Sequence, residues 1–191
     1  MSQANHGNTA PTPLHSTTST NLLPHQPACN NIMTIKVGDT MPTGSFGIMT
    51  QNGPGSMSTQ DLFSKKKVAL FSVPGAFTPT CSMEHLPGFK NKASALKDKG
   101  VDTICCMAVN DVFVMDAWGK DRGVGDTMLM LADGNGEYTK SLGLELDVSK
   151  FGLGMRGQRF SMVINDGVVE QLNIDPDEFK LSSAECMLNQ L

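Results

Sequence analysis

The chain has 191 residues and a formal net charge of −4, which fits one domain of ordinary size. Its basic residues form no extended cluster, so a surface for nucleic acid is not expected. No apolar stretch approaches the roughly 20 residues that a membrane-spanning helix needs, so no membrane partner is expected either. The five cysteines are an odd count without Cys-x-x-Cys spacing. That pattern favours a reactive thiol in a reducing compartment over a disulfide framework or a metal site.

Residues 1–34 differ in composition from the rest of the chain. They are rich in Ser, Thr, Asn and Pro and contain no Asp, Glu, Lys or Arg. Such a segment cannot offset its ordering entropy by burial, so we expect a disordered N-terminal extension. It lacks both the apolar core of a secretory signal and the Arg residues of a transit peptide. We therefore expect a cytoplasmic protein, with mitochondrion or plastid as the alternative if residues 1–34 act as a targeting segment.

From Ile35 onward the sequence alternates between strand and helix patterns. The predicted strands cover 67–73, 101–109, 127–132, 159–165 and 168–174. The predicted helices cover 80–98, 111–121 and 181–190. An Asn-Asp-Gly sequence at 165–167, between two apolar runs, indicates a β-hairpin. Parallel βαβ units followed by an antiparallel hairpin predict an α/β protein with a mixed central sheet and helices on both faces.

Cys81 lies where a chemical function can be inferred from spacing. An apolar run at 68–73 predicts a buried strand, a turn rich in Pro and Gly follows, and a helix can begin near Thr80. The thiol is thus placed in the first helical turn, where unpaired N–H groups and the helix dipole favour the thiolate. In the pattern Pro-x-x-x-Thr-x-x-Cys, Thr78 can hydrogen-bond beside the sulfur and Pro74 can stiffen and shield the loop. The residues alone leave open whether Cys81 is reactive or a small buried hydrophobe.

Residues 73–89 resemble the peroxidatic loop of the peroxiredoxins, in the type II or peroxiredoxin-5 branch. Members of that branch carry Pro-Gly-Ala-Phe-Thr-Pro-x-Cys-Ser followed by His-x-Pro-Gly-Phe, and every element is present here. The similarity covers about residues 35–191 and continues through the runs at 108–115, 131–134, 142–147 and 159–163. It implies a thioredoxin-like fold over residues 35–191. It also implies a thiol-specific peroxidase for hydrogen peroxide and alkyl hydroperoxides, without a metal or organic cofactor.

The resemblance assigns roles to single residues. It implies that Cys81 attacks the peroxide and becomes a sulfenic acid. Thr78 contacts sulfur and peroxide, and Pro74 excludes water. Arg159 stabilises the thiolate and the negative charge that develops as the O–O bond breaks, because a guanidinium is always charged and offers a fork of donors. Arg156 is the nearby alternative, which we interpret as a supporting or surface charge.

His85 is the only histidine after residue 34. Its i+4 spacing from Cys81 places both on one helical face, which makes a Cys–His nucleophile pair one interpretation. We favour a packing or subunit-contact residue, because this spacing directs the ring along the helix instead of into the pocket. Trp118, the only tryptophan, is interpreted as a core residue.

The step that re-reduces Cys81 leaves two interpretations open. Plant-like members of the branch have a resolving cysteine at the position of Cys106, 25 residues after Cys81, although a strand cysteine is usually a core residue. Cys105 should face the other side of that strand. The C-terminal position at which animal-like members resolve holds no cysteine here, and Cys186 is out of register with it. The expected reductant is glutaredoxin or glutathione, or else thioredoxin.

Two further expectations concern partners and competing functions. Type II members pair through surfaces around the active-site loop, so we expect a homodimer that covers partly exposed Phe77, Pro79 and Phe89. The alternative function is a redox-regulated interaction or holdase protein without turnover. A disulfide reductase of thioredoxin type is disfavoured because no cysteine lies three residues from Cys81.

Overall fold

The computed structural model describes residues 33–191. The predicted disordered extension, residues 1–34, therefore lies outside the described residues except for its last two. The strands are β1 Ser45–Thr50, β2 Gly53–Ser58, β3 Lys67–Ser72, β4 Thr103–Ala108, β5 Leu129–Ala132, β6 Glu145–Asp147, β7 Met155–Gly157, β8 Arg159–Asn165 and β9 Val168–Asp175. The helices are α1 Thr59–Phe63, α2 Leu86–Asn91, α3 Ala93–Asp98, α4 Val112–Asp121, α5 Glu137–Ser141 and α6 Ala184–Gln190. None of these helices has the length and apolar character needed to cross a membrane.

The central sheet has seven strands in the order β2-β1-β5-β4-β3-β8-β9, and β6 pairs with β7 separately. Strands β3, β4 and β5 are parallel, whereas β1, β8 and β9 pair antiparallel with their neighbours. The predicted mixed sheet is therefore confirmed. Three parallel strands in succession place the ends of β3, β4 and β5 at one edge, from which the loop containing Cys81 leaves.

Two apolar layers cover the two faces of the sheet, because strand side chains alternate between faces. On β3, Ala69 and Phe71 belong to the layer built with α2, α3, α4 and α6, and Val68 and Leu70 belong to the layer built with α1 and α5. Trp118 of α4 is fully buried in the first layer, as predicted. The helices on both faces confirm the predicted α/β architecture.

The hairpin predicted at residues 165–167 is confirmed. Asp166 has φ 47° and Gly167 has φ 80°, and β8 pairs with β9 across them. Two successive residues with positive φ give a turn whose twist matches that of the flanking strands. Asp166 also accepts a hydrogen bond from the backbone N–H of Lys65, so the turn is tied to the start of β3.

The predicted helix at 80–98 is divided into three pieces. A π-helical turn, Cys81–His85, precedes α2, and the Leu86 N–H donates to the Cys81 carbonyl. Pro87 follows immediately, and it has no N–H that could donate to the carbonyl four residues earlier, as an α-helix requires. Lys92, with φ −101° and ψ 10°, separates α2 from α3. The π-helical turn begins with Cys81 and ends with His85, so its geometry determines how these two side chains are placed relative to each other.

The predicted helix at 181–190 begins later, with α6 at Ala184. The backbone N–H groups of Lys180, Leu181 and Ser182 donate to the Asp175 carboxylate, at 3.2, 2.6 and 3.2 Å. These groups are thereby committed to a turn at the end of β9. Ser183 then caps α6 by accepting from the Cys186 N–H at 3.2 Å.

Candidate active site

Cys81 and Arg159 are brought together by the pairing of two strands. The chain leaves β3 at Ser72 and enters the loop that leads to Cys81. Strand β8 runs antiparallel to β3, and Phe160 is the register partner of Ser72. Arg159, at the start of β8, therefore lies beside the end of β3. This pairing explains how residues 78 positions apart can meet.

The Arg159 Nη2 donates to the Cys81 Sγ at 3.3 Å. Cys81 is fully buried, and Arg159 is half-buried. Burial alone disfavours a thiolate, whereas a fixed positive charge at hydrogen-bond distance favours it. A guanidinium remains charged at any physiological pH, so this contact gives the sulfur a permanent cation. The arrangement can stabilise a nucleophilic sulfur that is shielded from bulk water.

The loop before Cys81 is fixed by hydrogen bonds of its own. Thr78 Oγ1 donates to the Gly75 carbonyl at 2.8 Å, and its carbonyl accepts from the Ser82 N–H at 3.0 Å. The Ala76 N–H donates to Asn110 Oδ1 at 3.0 Å, which ties the loop to the end of β4. Thr78 was expected to contact the sulfur, but its hydroxyl proton goes to Gly75. The hydroxyl lone pairs face no donor among the described hydrogen bonds.

The remaining loop residues have different surroundings. Pro74 is half-buried between buried Val73 and buried Gly75. Phe77 has φ 63°, unusual for a residue with a side chain, and is 52% exposed. Phe89 was expected to be partly exposed, but it is fully buried and stacks on Phe71 with ring centroids 4.1 Å apart. The apolar surface of the loop is therefore smaller than expected.

Arg156 occupies a different position from Arg159. Its Nε donates to the Leu153 carbonyl at 2.8 Å and its Nη1 to the Val109 carbonyl at 3.0 Å. A Cβ placed on Gly75 would lie 3.5 Å from the same Nη1, so Arg156 lies against the loop. These contacts agree with the predicted supporting charge. Arg159 is the arginine that contacts the sulfur.

His85 has a larger role in the site than predicted. It is fully buried, so it is not a subunit-contact residue, and its ring lies among Phe71, Phe89 and Phe179. Its Nδ1 lies 3.1 Å from Arg159 Nη1, so packing is not its sole role. A Cys–His pair is not formed, because the ring nitrogen nearest the site faces the arginine. The π-helical turn accounts for the difference, since it changes where an i+4 side chain points.

The His85 imidazole is neutral at neutral pH. Burial, and next the positive charge of Arg159, lower the pKa of His85 from 6.5 to about 3. The carbonyl of Ser182 and the charge of Asp175 act in the opposite direction and do not compensate. A neutral ring can accept a hydrogen bond at one nitrogen while donating at the other. His85 can thus accept from Arg159.

Cys106 and Cys105 lie on opposite faces of β4, as predicted. Cys106 belongs to the same apolar layer as Cys81, and Cys105 belongs to the other layer. Burial raises the pKa of the Cys106 thiol well above its usual value, and the nearby Cys81 and Cys105 sulfurs act in the same direction. Both β4 thiols are free in this structure. Cys106 is therefore neutral and unreactive while it remains enclosed.

Residues 33–191 show no alternative centre for metal chemistry. Within this range no group of three or more His, Cys, Asp or Glu side chains is arranged to hold a metal ion. A groove of about 760 Å³ lies at the other end of the parallel strands, where Thr103, Met128 and Leu129 line it. That groove is remote from the edge where Cys81 lies.

Comparison with known proteins agrees with this geometry. The family model described as Redoxin matches residues 36–188. Peroxiredoxin-2B of Arabidopsis thaliana is 49% identical over 159 residues, which cover 82% of this chain and 98% of the relative. The chloroplastic Peroxiredoxin-2E of the same plant is 46% identical over 162 residues, which cover 82% of this chain and 69% of the relative.

Among solved structures, reduced Prx3 of Vibrio vulnificus in complex with H₂O₂ matches with a TM-score of 0.79 and 47% identity. The match covers 82% of this chain and 99% of that one. The thioredoxin-like fold expected from the resemblance is thereby confirmed. The chain belongs to the peroxiredoxins, in the type II branch of the Redoxin family, and is a thiol peroxidase.

Proposed function

We propose that Cys81 is the nucleophile that reduces hydrogen peroxide and alkyl hydroperoxides, with Arg159 as its stabilising cation. The observation that carries this proposal is the 3.3 Å contact from Arg159 Nη2 to Cys81 Sγ. The thiolate attacks one peroxide oxygen, an S–O bond forms, and the O–O bond breaks. Cys81 becomes a sulfenic acid, and hydroxide or alkoxide leaves and is protonated to water or alcohol, which balances the proton that the Cys81 thiol released on ionisation. Arg159 stabilises the negative charge as it moves from sulfur to the leaving oxygen.

Thr78 and Pro74 have supporting roles in this proposal. Because the Thr78 hydroxyl proton is donated to the Gly75 carbonyl at 2.8 Å, its lone pairs can accept from a peroxide O–H. That hydrogen bond would align the O–O bond with the sulfur. Pro74 lies in the loop between two buried neighbours and limits the access of water. The set of Pro74, Thr78, Cys81 and Arg159 favours turnover over the alternative, a redox-regulated interaction or holdase protein.

The test of this proposal is the variant Cys81→Ser. An alcohol is not ionised at neutral pH and attacks oxygen poorly, so peroxide consumption should fall to background. Cys186→Ser is the matched control, because Cys186 is a half-buried free thiol on α6, and it should keep wild-type activity. Turnover of Cys81→Ser within about tenfold of wild type would sink the assignment.

For the second half of the cycle we propose a disulfide between Cys81 and Cys106 within one chain. Both side chains belong to the same apolar layer, which supports the pairing. Cys106 is fully buried and neutral, so the π-helical turn at Cys81–His85 has to unwind before the sulfurs can bond. Thioredoxin would reduce such a disulfide, whereas glutathione or glutaredoxin would reduce an unresolved sulfenic acid.

Peptide mapping after one equivalent of peroxide tests the disulfide. We expect a link from Cys81 to Cys106 and none from Cys81 to Cys105, which faces the opposite layer and is an internal control. Sulfenic acid or a glutathione adduct on Cys81 alone would show a one-cysteine cycle and make Cys106 a core residue. The Cys106→Ser variant should then turn over at the wild-type rate with glutathione.

The homodimer is proposed on the exposed apolar part of the loop. Phe77 is 52% exposed, and Pro79 beside it is also exposed. A second copy of the chain that packs against this surface would shield both. Light scattering at high concentration should give twice the chain mass, and Phe77→Glu should lower it. A monomer in both redox states would contradict the proposal.

A cytoplasmic location is kept as a proposal. The plastid alternative is supported by the similarity to the chloroplastic Peroxiredoxin-2E. A fusion of residues 1–34 to a fluorescent protein separates the two: a diffuse signal supports the cytoplasm, and an organellar signal supports targeting.

A further inference from the structure

We propose that His85 is a positioning residue for Arg159, fixed in turn by Ser182 and Asp175. We name these four residues the Asp175–Arg159 network. It rests on the proposed function, because its effect on turnover requires that Arg159 assists Cys81. His85 does not touch the sulfur, so it acts through the arginine and not on the peroxide.

The Arg159 guanidinium is held at both of its terminal nitrogens. Arg159 Nη2 donates to Cys81 Sγ at 3.3 Å, and Arg159 Nη1 lies 3.1 Å from His85 Nδ1. The guanidinium is planar and rigid, so fixing both terminal nitrogens fixes its rotation. Phe179 lies over one side, with its ring centroid 5.6 Å from Arg159 Cζ. The fork is therefore oriented from two directions at once.

The partners of the two ring nitrogens determine the tautomer of His85. Arg159 has donors only, so Nδ1 must carry no proton and the ring proton sits on Nε2. Nε2 lies 3.0 Å from the Ser182 carbonyl, which accepts that proton. Each ring nitrogen thus has a partner of the right kind. Burial of the ring is consistent with this uncharged form.

The Ser182 carbonyl is itself held in place by Asp175. The Asp175 carboxylate accepts from three successive backbone N–H groups, those of Lys180, Leu181 and Ser182. The Ser182 hydroxyl also donates to Asp175 Oδ2 in a short hydrogen bond. Both Ser182 and Asp175 are buried. The segment between β9 and α6 therefore forms a rigid support for the imidazole.

Loss of the His85 acceptor should slow the reaction with peroxide. His85→Phe keeps an aromatic ring of similar size among Phe71, Phe89 and Phe179 but removes the acceptor of Arg159 Nη1. A partly buried donor without a partner turns toward another acceptor or water, because leaving it unpaired is costly. The fork then no longer faces the sulfur in one fixed orientation. We expect kcat/KM for peroxide to fall about tenfold.

The experiment compares three variants by two readouts of the site, the rate with hydrogen peroxide and the pH midpoint of Cys81 alkylation. The melting temperature serves as a separate measure of stability. His85→Phe should lower the rate and move the midpoint upward, since the thiolate loses a fixed cation. His85→Gln, whose amide oxygen can accept from Arg159, should recover part of both. Phe89→Leu removes aromatic packing beside His85 without touching the hydrogen bonds, so it should lower the melting temperature and leave both readouts unchanged.

A double-mutant cycle with Arg159→Lys decides whether His85 acts through the arginine. If it does, adding His85→Phe to Arg159→Lys changes the rate by less than about twofold. A full tenfold loss in that background, or equal effects of His85→Phe and Phe89→Leu, would overturn the proposal. An active Cys81→Ser variant would instead overturn the proposed function, so the two failures are distinguishable.

Discussion

Acidification should lower the unfolding free energy of this protein, because His85 is buried as a neutral imidazole. The pKa of His85 is lowered from 6.5 to about 3, first by burial and then by Arg159. Between those two pH values the unfolded chain binds a proton at His85 that the folded protein does not bind. Stability therefore rises with pH across this window, and it is lost as pH falls from 6.5 toward about 3.

The size of the effect follows from the two pKa values. At pH 4.5 the histidine of the unfolded chain is two pH units below 6.5 and almost fully protonated, whereas the folded ring is still mainly neutral. Each pH unit corresponds to about 1.36 kcal/mol, so the folded state loses roughly 3 kcal/mol relative to pH 7. That is a large part of a typical unfolding free energy of roughly 5–15 kcal/mol.

Urea denaturation at pH 7 and pH 4.5 measures this loss, with His85→Phe as the matched control. Every other ionisable group is present in both proteins, so the comparison isolates His85. The wild type should therefore lose roughly 3 kcal/mol more than the variant between the two pH values. The variant starts from a lower stability at pH 7, because it lacks the hydrogen bonds to Ser182 and Arg159. Equal losses in the two proteins would show that His85 binds its proton equally well in the folded and unfolded states.

Two further outcomes test the site and the fold. Arg159→Lys keeps the charge but loses the planar fork that contacts Cys81 Sγ with one nitrogen and His85 Nδ1 with the other. We therefore expect kcat/KM for peroxide to fall on the order of 100-fold in stopped-flow assays. An unchanged rate would remove the arginine from the mechanism. Gly143→Ala should lower the unfolding free energy by at least about 2 kcal/mol, because φ is 67° and the new Cβ would lie 2.9 Å from Thr34 Cα. Gly152→Ala is its control, with φ 74° and nothing within 4 Å, and a loss of equal size there would show that the contact with Thr34 is unimportant.

The centre of the sheet could be predicted from sequence because its signals are local. The apolar run that forms β3 is buried on both faces, and such runs are typical of parallel strands. The hairpin between β8 and β9 follows from Asp166 and Gly167, which adopt positive φ at low cost. Cys81 and Arg159 could be identified from the resemblance, and the pairing of β3 with β8 brings them into contact.

The strands that could not be predicted from the sequence form because of the strands with which they pair. Strand β2 reads Gly-Pro-Gly-Ser-Met-Ser, which has almost no strand propensity, and it forms because all six residues pair with β1. The three-residue strands β6 and β7 are too short to show a period. The part played by His85 was missed for a related reason, since a π-helical turn and the distant Asp175 determine what the ring contacts. A histidine four residues after a reactive cysteine was the only available signal.

In the proposed cycle, peroxide attack by Cys81 and disulfide formation with Cys106 make opposite demands on the same helical turn. While Cys81 is a thiolate, the π-helical turn Cys81–His85 has to stay folded, because it holds both the sulfur and the imidazole against Arg159. A disulfide with Cys106 requires that turn to unwind, since an enclosed neutral thiol cannot reach a sulfur fixed on the helix. Unwinding would separate His85 from Arg159 and dismantle the Asp175–Arg159 network. In the proposed cycle the network would thus be lost only after peroxide has oxidised the sulfur, when no thiolate remains at Cys81 for Arg159 to stabilise. Weakening the network by His85→Phe should therefore slow attack on peroxide but speed formation of the Cys81–Cys106 disulfide.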